Sequence, residues 1–350
     1  MGKNKKLAPR DPGFGQHLTD HHVHPIHKSQ QPDLEGIRST RAVPRPSLSL
    51  SRFSEGAFKH FQENNVKARD EADVLANVIP AILGPSQATD NCARNTAFST
   101  LEPLTDGTIT AAKPNIYWGA YPEELAPAVR NELAGHIVPS TMPEKPIAPN
   151  VFLEVNGPDG TAGVATRQVR YDGAIGARAM HSVQNYRMEE PQFDGKPHTF
   201  SFKYHNGTLT KYSHHMTAPT ASSGGRPEYH MSEVDGWAMT SKRGTFVEAA
   251  TDLRNTLDLA GAYRADFMRD ANARASQAET VLAGGHTSKA KSGTGSTREA
   301  GPSNSMIASA SASAPAGAAE YCGRCKYCGA PGREPQLGKG ISDSCAGCGT

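Results

Sequence analysis

Four cysteines near the C-terminus carry a spacing suited to a metal ion. Cys325 and Cys328 precede Gly329, Cys345 and Cys348 precede Gly349, and sixteen residues separate the two pairs. Two thiolates three residues apart can reach one ion, and the following glycine permits the tight turn beneath them. Four thiolates on tetrahedral zinc make a closed, structural site with no position open for catalysis. Cys322 can substitute for Cys325 or Cys328, so spacing leaves the first pair's register open. A second metal-capable set, His17, His21, His22, His24 and His27, has Pro25 inside it and no fixed ligand spacing, so it reads as a polar tract. A third set is polar rather than metal-like: Asn115 closes KPN, and Glu154 and Asn156 lie two apart in FLEVN.

These residues need elements to position them. IYWG and VFLEV have strand composition and bring Asn115, Glu154 and Asn156 near one another, since residues two apart share a face of a strand. TFSFKYHNGTLTKYS reads as a hairpin turning at Asn206-Gly207. Residues 162–181 read as a helix with Val164, Gln168, Tyr171 and Ile175 on neighbouring turns. Ser54 precedes a near-helical run from Phe58 to Ile82 that ends near Gly84 and Pro85. A last helix spans about Thr245 to Ala273.

The order of these pieces resembles the PD-(D/E)XK nuclease superfamily: a helix, a strand ending in Pro-Asp, a strand bearing Glu-x-Lys, and a helix after it. Stretches such as IAPNVFLEVNGPDG, RQVRYDGAIGARAMHS and GGRPEYHM also resemble a group of fungal proteins of uncharacterised activity. The likeness covers about residues 53–272. It implies a restriction-endonuclease-like α/β core, a mixed sheet flanked by helices, with Mg²⁺ held by the Asp and Glu and phosphate steadied by the Lys. This chain departs at two of the three positions, with Asn115 for Asp and Asn156 for Lys, leaving Glu154. RQVRY is similar to the Gln and Tyr motif of RecB-like nucleases, although Gln168 and Tyr171 are three apart where that motif has four.

An amide keeps an oxygen donor but loses a full charge, which weakens a Mg²⁺ site. Losing the Lys removes an electrostatic contribution on the order of 10²–10³ in rate. The expectation is therefore a nuclease-like domain with impaired or absent hydrolysis that binds nucleic acid, with Arg167, Arg170 and Arg178 on phosphates. Lys203, Lys211 and several aromatic residues lie in the same stretch. One alternative is an active nuclease in which Lys113 and Asp159 stand in for the missing groups. Another is a protein-interaction scaffold.

Composition bounds these readings. The chain has 350 residues, a net charge of +2 and only 37% hydrophobic residues, with 34 Gly and 25 Pro, so part of it is expected to lie outside any core. The charge excludes a strongly basic protein, and any nucleic-acid binding must come from a local face. No apolar run is long enough for a membrane span, and MGKNKKLAPR does not begin a secretory signal, so an intracellular location, nucleus or cytoplasm, is expected. The domain expectation is a disordered His- and Pro-rich arm over 1–50, the nuclease-like domain over 51–274, an Ala/Ser/Gly linker over 275–320 and the zinc module over 321–350.

Overall fold

A computed structural model describes residues 6–35, 37, 43–87 and 91–287, without the side chains of 279 and 281–287. The expected zinc module, with Cys325, Cys328, Cys345 and Cys348, lies outside the described residues.

The helices are α1 (Phe14–Asp20), α2 (Glu55–Lys67), α3 (Glu71–Asn77), α4 (Ile79–Gln87), α5 (Pro127–Glu132), α6 (Ala134–Ile137), α7 (Ala162–Gln184) and α8 (Arg243–Thr287). The strands are β1 (Cys92–Arg94), β2 (Ile116–Ala120), β3 (Ile147–Asn156), β4 (Thr199–His205), β5 (Thr208–Thr217) and β6 (Glu228–Ala238). They form one six-stranded sheet in the order β1-β2-β3-β4-β5-β6. Every neighbouring pair is antiparallel except β3 and β4, which run parallel. A parallel pair needs a crossover, and α7 supplies it, packing on β3, β4 and β5. The fold is thus α/β, a mixed sheet flanked by helices.

Alternation along the strands divides the core between the two sheet faces. Leu153 and Val155 of β3 and Phe200, Phe202 and Tyr204 of β4 pack with Phe58 and Phe61 of α2 and with Phe246, Leu253 and Leu257 of α8. On the opposite face Tyr117 and Phe152 pack against Tyr171, Ala174 and Ile175 of α7. The expected hairpin is present: Asn206 and Gly207 both take positive φ, as a two-residue hairpin turn of matching twist requires. The Ser54 start is confirmed, its side chain accepting the N–H of Ala57. The run it opens breaks into three helices, because Asp70 caps a second start through the N–H of Asp73.

Two expected boundaries need correction. The arm over 1–50 is ordered wherever it is described. Leu7 bridges to Ile109 and Val23 to Tyr229, and Phe14 and Leu18 are fully buried, with Phe14 edge-on to Tyr171. Composition suggested disorder because the arm cannot make a core of its own; it instead adds a few apolar side chains to one already built. At the other end, α8 continues to Thr287, into the stretch expected as linker. Among the described residues, no helix is long and apolar enough to cross a membrane.

Candidate functional site

The loop before β2 and the end of β3 bring Asn115 and Glu154 together as expected. The N–H of Asn115 donates to Glu154 Oε1 at 3.2 Å, and Asn115 Oδ1 accepts the N–H of Val155 at 2.7 Å. A backbone N–H can only donate, so the atom facing Val155 is the amide oxygen and the NH₂ points outward. That Nδ2 donates to Glu71 Oε1 at 2.5 Å and reaches Asn95 Oδ1 at 3.5 Å. Glu71 is in the first turn of α3, whose N-terminus rests directly on Gly157: a Cβ at Gly157 would come within 2.7–2.8 Å of the Asp70 backbone. The missing side chain at 157 is what lets α3 reach Asn115.

This geometry accounts for an amide at position 115. A carboxylate there would still accept from Val155, but its second oxygen would meet the Glu71 carboxylate at hydrogen-bond distance. The amide N–H joins the two elements without needing a cation between them.

Glu154 is buried beneath α7. Its Oε2 accepts from Gln168 Nε2 at 2.8 Å, and the Asp172 carboxyl, one turn on, hydrogen-bonds the Glu154 carboxyl. Burial, then the charge and hydrogen bond of Asp172, hold the Glu154 carboxyl well above the usual range. Burial also pushes Asp172 up to about 7. Two carboxyls in contact in a dry site cannot both ionise cheaply, so the pair keeps a shared proton.

The remaining expected residues separate. Tyr171 makes no hydrogen bond to Glu154; its ring packs edge-on to Phe14 in the apolar cluster with Tyr117 and Phe152. The residue sharing a face with Gln168 is Asp172, four positions on, as helical geometry demands. Asn156 closes β3 half-buried, its Oδ1 without a hydrogen-bond partner. Lys113 and Asp159 are exposed, and neither hydrogen-bonds Glu154.

The three arginines expected on phosphates are committed within the fold. Arg167 Nε donates to the carbonyl of Pro9, and Arg170 to the carbonyls of Gly15 and Val23 and to Thr19 Oγ1. Arg178 donates to the carbonyls of Glu102 and Pro103. They hold the N-terminal segment and the loop before β2 in place. Lys211 is likewise internal, its Nζ on Asp252 Oδ2 at 2.9 Å and Thr256 Oγ1 at 2.7 Å.

Sequence reading missed Glu71, Asn95 and Asp172, and gave Lys203 no place at the site. Lys203 is the register partner of Glu154 on β4, with Nζ on Thr166 Oγ1 at 3.1 Å and over the Tyr212 ring. Only the i,i+4 relation of Gln168 to Asp172 was available as a signal; the other three depend on strand register and helix docking.

Among the described residues, two groups of three His, Asp or Glu side chains converge closely enough for one ion: His17, His21 and Asp106, and His24, Glu228 and His230. Glu154 is in neither. The donor set at Glu154 therefore fits the implied Mg²⁺ poorly: one carboxyl pair holds a proton, and the Asn115 oxygen already accepts from Val155. Cavities of about 750 and 300 Å³ open elsewhere, and neither is lined by Glu154. Comparison with protein-family models, with curated proteins and with solved structures gives no match.

Proposed function

We propose that this chain is a PD-(D/E)XK nuclease-like domain whose metal chemistry has been replaced by fixed hydrogen bonds, and which binds nucleic acid without cleaving it. The observation that carries the reading is the Asn115 amide. It ties Glu71 to β3 directly, and in this reading it stands where the family has the metal-binding Asp, supplying an N–H where a cation would otherwise have to separate carboxylates. The strand-helix-strand crossover β3-α7-β4, with Glu154 at the end of its first strand, supports the nuclease-like assignment.

With Arg167, Arg170 and Arg178 committed to backbone carbonyls, contact with phosphate falls to the exposed cations bordering the site. Arg94 precedes Asn95, Lys113 lies two residues before Asn115, and Arg69 lies two before Glu71. Arg69 is drawn toward Asp73, an exposed pair of little energetic weight. Such a rim gives sequence-independent, salt-sensitive attraction to the phosphate backbone.

The test is cleavage of labelled single- and double-stranded DNA in Mg²⁺ or Mn²⁺ by the native chain, by Glu154→Ala and by Asn115→Asp combined with Asn156→Lys. The reading expects no cleavage by the native chain. Cleavage that Glu154→Ala abolishes would overturn it in favour of an active enzyme. Cleavage by the double reversion alone would support the nuclease ancestry of the scaffold.

A further inference from the structure

The N-terminal histidines have no metal spacing on paper, yet folding gives three groups a shared focus. His17 lies on α1 and His21 caps its C-terminus four residues on, with the ring centroids 4.3 Å apart. Asp106, on the loop before β2, comes to meet them. His17 Nε2 lies 3.2 Å from Asp106 Oδ1, and His21 Nε2 lies 4.0 Å from Oδ2.

Three details distinguish this group from an ordinary hydrogen-bond cluster. His21 Nδ1 lies 2.8 Å from the carbonyl of His17, which can only accept. The proton is therefore on Nδ1, and Nε2 carries the free lone pair, the arrangement by which a backbone carbonyl orients a metal-bound imidazole. His17 Nε2 is buried without a hydrogen-bond partner, because Asp106 is near but out of line. Asp106 is held in place: the Thr108 hydroxyl and N–H donate to its Oδ1 at 2.6 and 3.0 Å. Metal–ligand bonds of about 2.1 Å at tetrahedral angles place ligand atoms about 3.4 Å apart, between the two separations found here.

The other convergent group differs. His24 Nε2 and Glu228 Oε2 make a complete bond at 2.6 Å. The two ring nitrogens of His230 are taken by the Gln30 N–H at 3.2 Å and by Thr217 Oγ1 at 2.9 Å. The atoms that converge there are already hydrogen-bonded, and within the group only His24 Nδ1 is left without a partner.

We propose that His17, His21 and Asp106 form a site for a divalent first-row transition ion of the zinc class, with two imidazoles and one carboxylate as ligands. Asp106 is half exposed, so a fourth tetrahedral position faces solvent. The ion would join α1 to the loop before β2, adding to the contacts through which Arg170 holds the arm.

The test is Co²⁺ titration of the full chain followed by visible absorption, with Zn²⁺ as competitor. The C-terminal cysteines are separated out by a variant with Cys322, Cys325, Cys328, Cys345 and Cys348 all changed to Ser. That variant is expected to take up one equivalent of Co²⁺, showing ligand-field bands without the thiolate charge-transfer band, and to release it to Zn²⁺. Adding His17→Gln and His21→Gln should abolish the uptake. Asp106→Asn, at an exposed position where the amide oxygen can still accept from Thr108, should weaken it by at least roughly tenfold with unchanged circular dichroism. No uptake by the variant without the C-terminal cysteines, or uptake indifferent to Asp106→Asn, would overturn the proposal.

Discussion

Replacing Asn115 with Asp should convert a hydrogen bond into a repulsion, and the cost can be worked from the contacts. The Asn115 Nδ2 bond to the Glu71 carboxylate spans 2.5 Å. Hydrogen bonds to charged groups are worth about 1.5–3 kcal/mol, and all of that is lost. Two like charges about 4 Å apart repel by about 4 kcal/mol at an effective dielectric constant of 20, and exposure of Glu71 reduces this. The Val155 N–H keeps its acceptor, so the net destabilisation should be about 3–5 kcal/mol at pH 8. It should shrink toward pH 5 as the new cluster takes up a proton. A divalent cation supplies the missing positive charge, and Mn²⁺ at 100 times its dissociation constant would return about 2.7 kcal/mol. Urea unfolding at pH 8 and pH 5, with and without Mn²⁺, measures all three effects. Adding Glu71→Gln to Asn115→Asp should restore much of the stability, since the Gln amide can donate where the Asn did. A variant as stable as the native chain at pH 8, or one indifferent to both Mn²⁺ and Glu71→Gln, would refute the role assigned to the amide.

Asp172→Asn should stabilise the protein increasingly above pH 4. Asp172 is pushed up to about 7 in the fold against about 3.9 when unfolded, so the native carboxyl costs stability as pH rises through that window, up to about 4 kcal/mol; parallel pH–stability curves for variant and native chain would contradict this. The histidines pull the other way: burial depresses His214 to about 3 and His215 and His230 to about 4. Stability owed to their neutral forms should therefore be lost as pH falls from about 6.5 toward 4, read as a falling Tm. Asp252→Ala should cost about 3–5 kcal/mol by leaving Lys211 buried without its carboxylate, measured by chemical denaturation. Gly173→Ala should destabilise by about 1–3 kcal/mol despite Ala's better helix propensity, because its Cβ would come within 2.1–2.3 Å of the buried His214 ring; a stable variant with unchanged His214 resonances would contradict the packing.

Much of the scaffold was legible because local signals agreed with the final packing. β2, β3, the β4–β5 hairpin and α7 fall where strand composition, Asn206-Gly207 and helical spacing put them. Strands β1 and β6 were not read. β1 is three residues long, and β6, EYHMSEVDGWA, carries a Gly and several charged residues that hide its alternation. The arm was misread because its apolar residues are too few for a core of their own, while Phe14, Leu18 and Val23 complete one made by distant residues. At the site, strand spacing brought Asn115 and Glu154 together, and the family resemblance singled out Gln168. Glu71 was not found, because its approach depends on the missing side chain at Gly157, 42 residues beyond Asn115. The carbonyl partners of Arg167, Arg170 and Arg178 were not legible because composition shows a cluster of cations but not the carbonyls that meet them.

The most direct measurement is binding of a fluorescent DNA duplex across a salt series in Mg²⁺, with the same samples run on a denaturing gel. The account predicts intact DNA and an affinity that falls linearly in log–log form with salt. Changing both Arg94 and Lys113 to Ala should make that slope shallower by about 2. Cut products that disappear in Glu154→Ala, or binding that is absent or indifferent to salt, would contradict it.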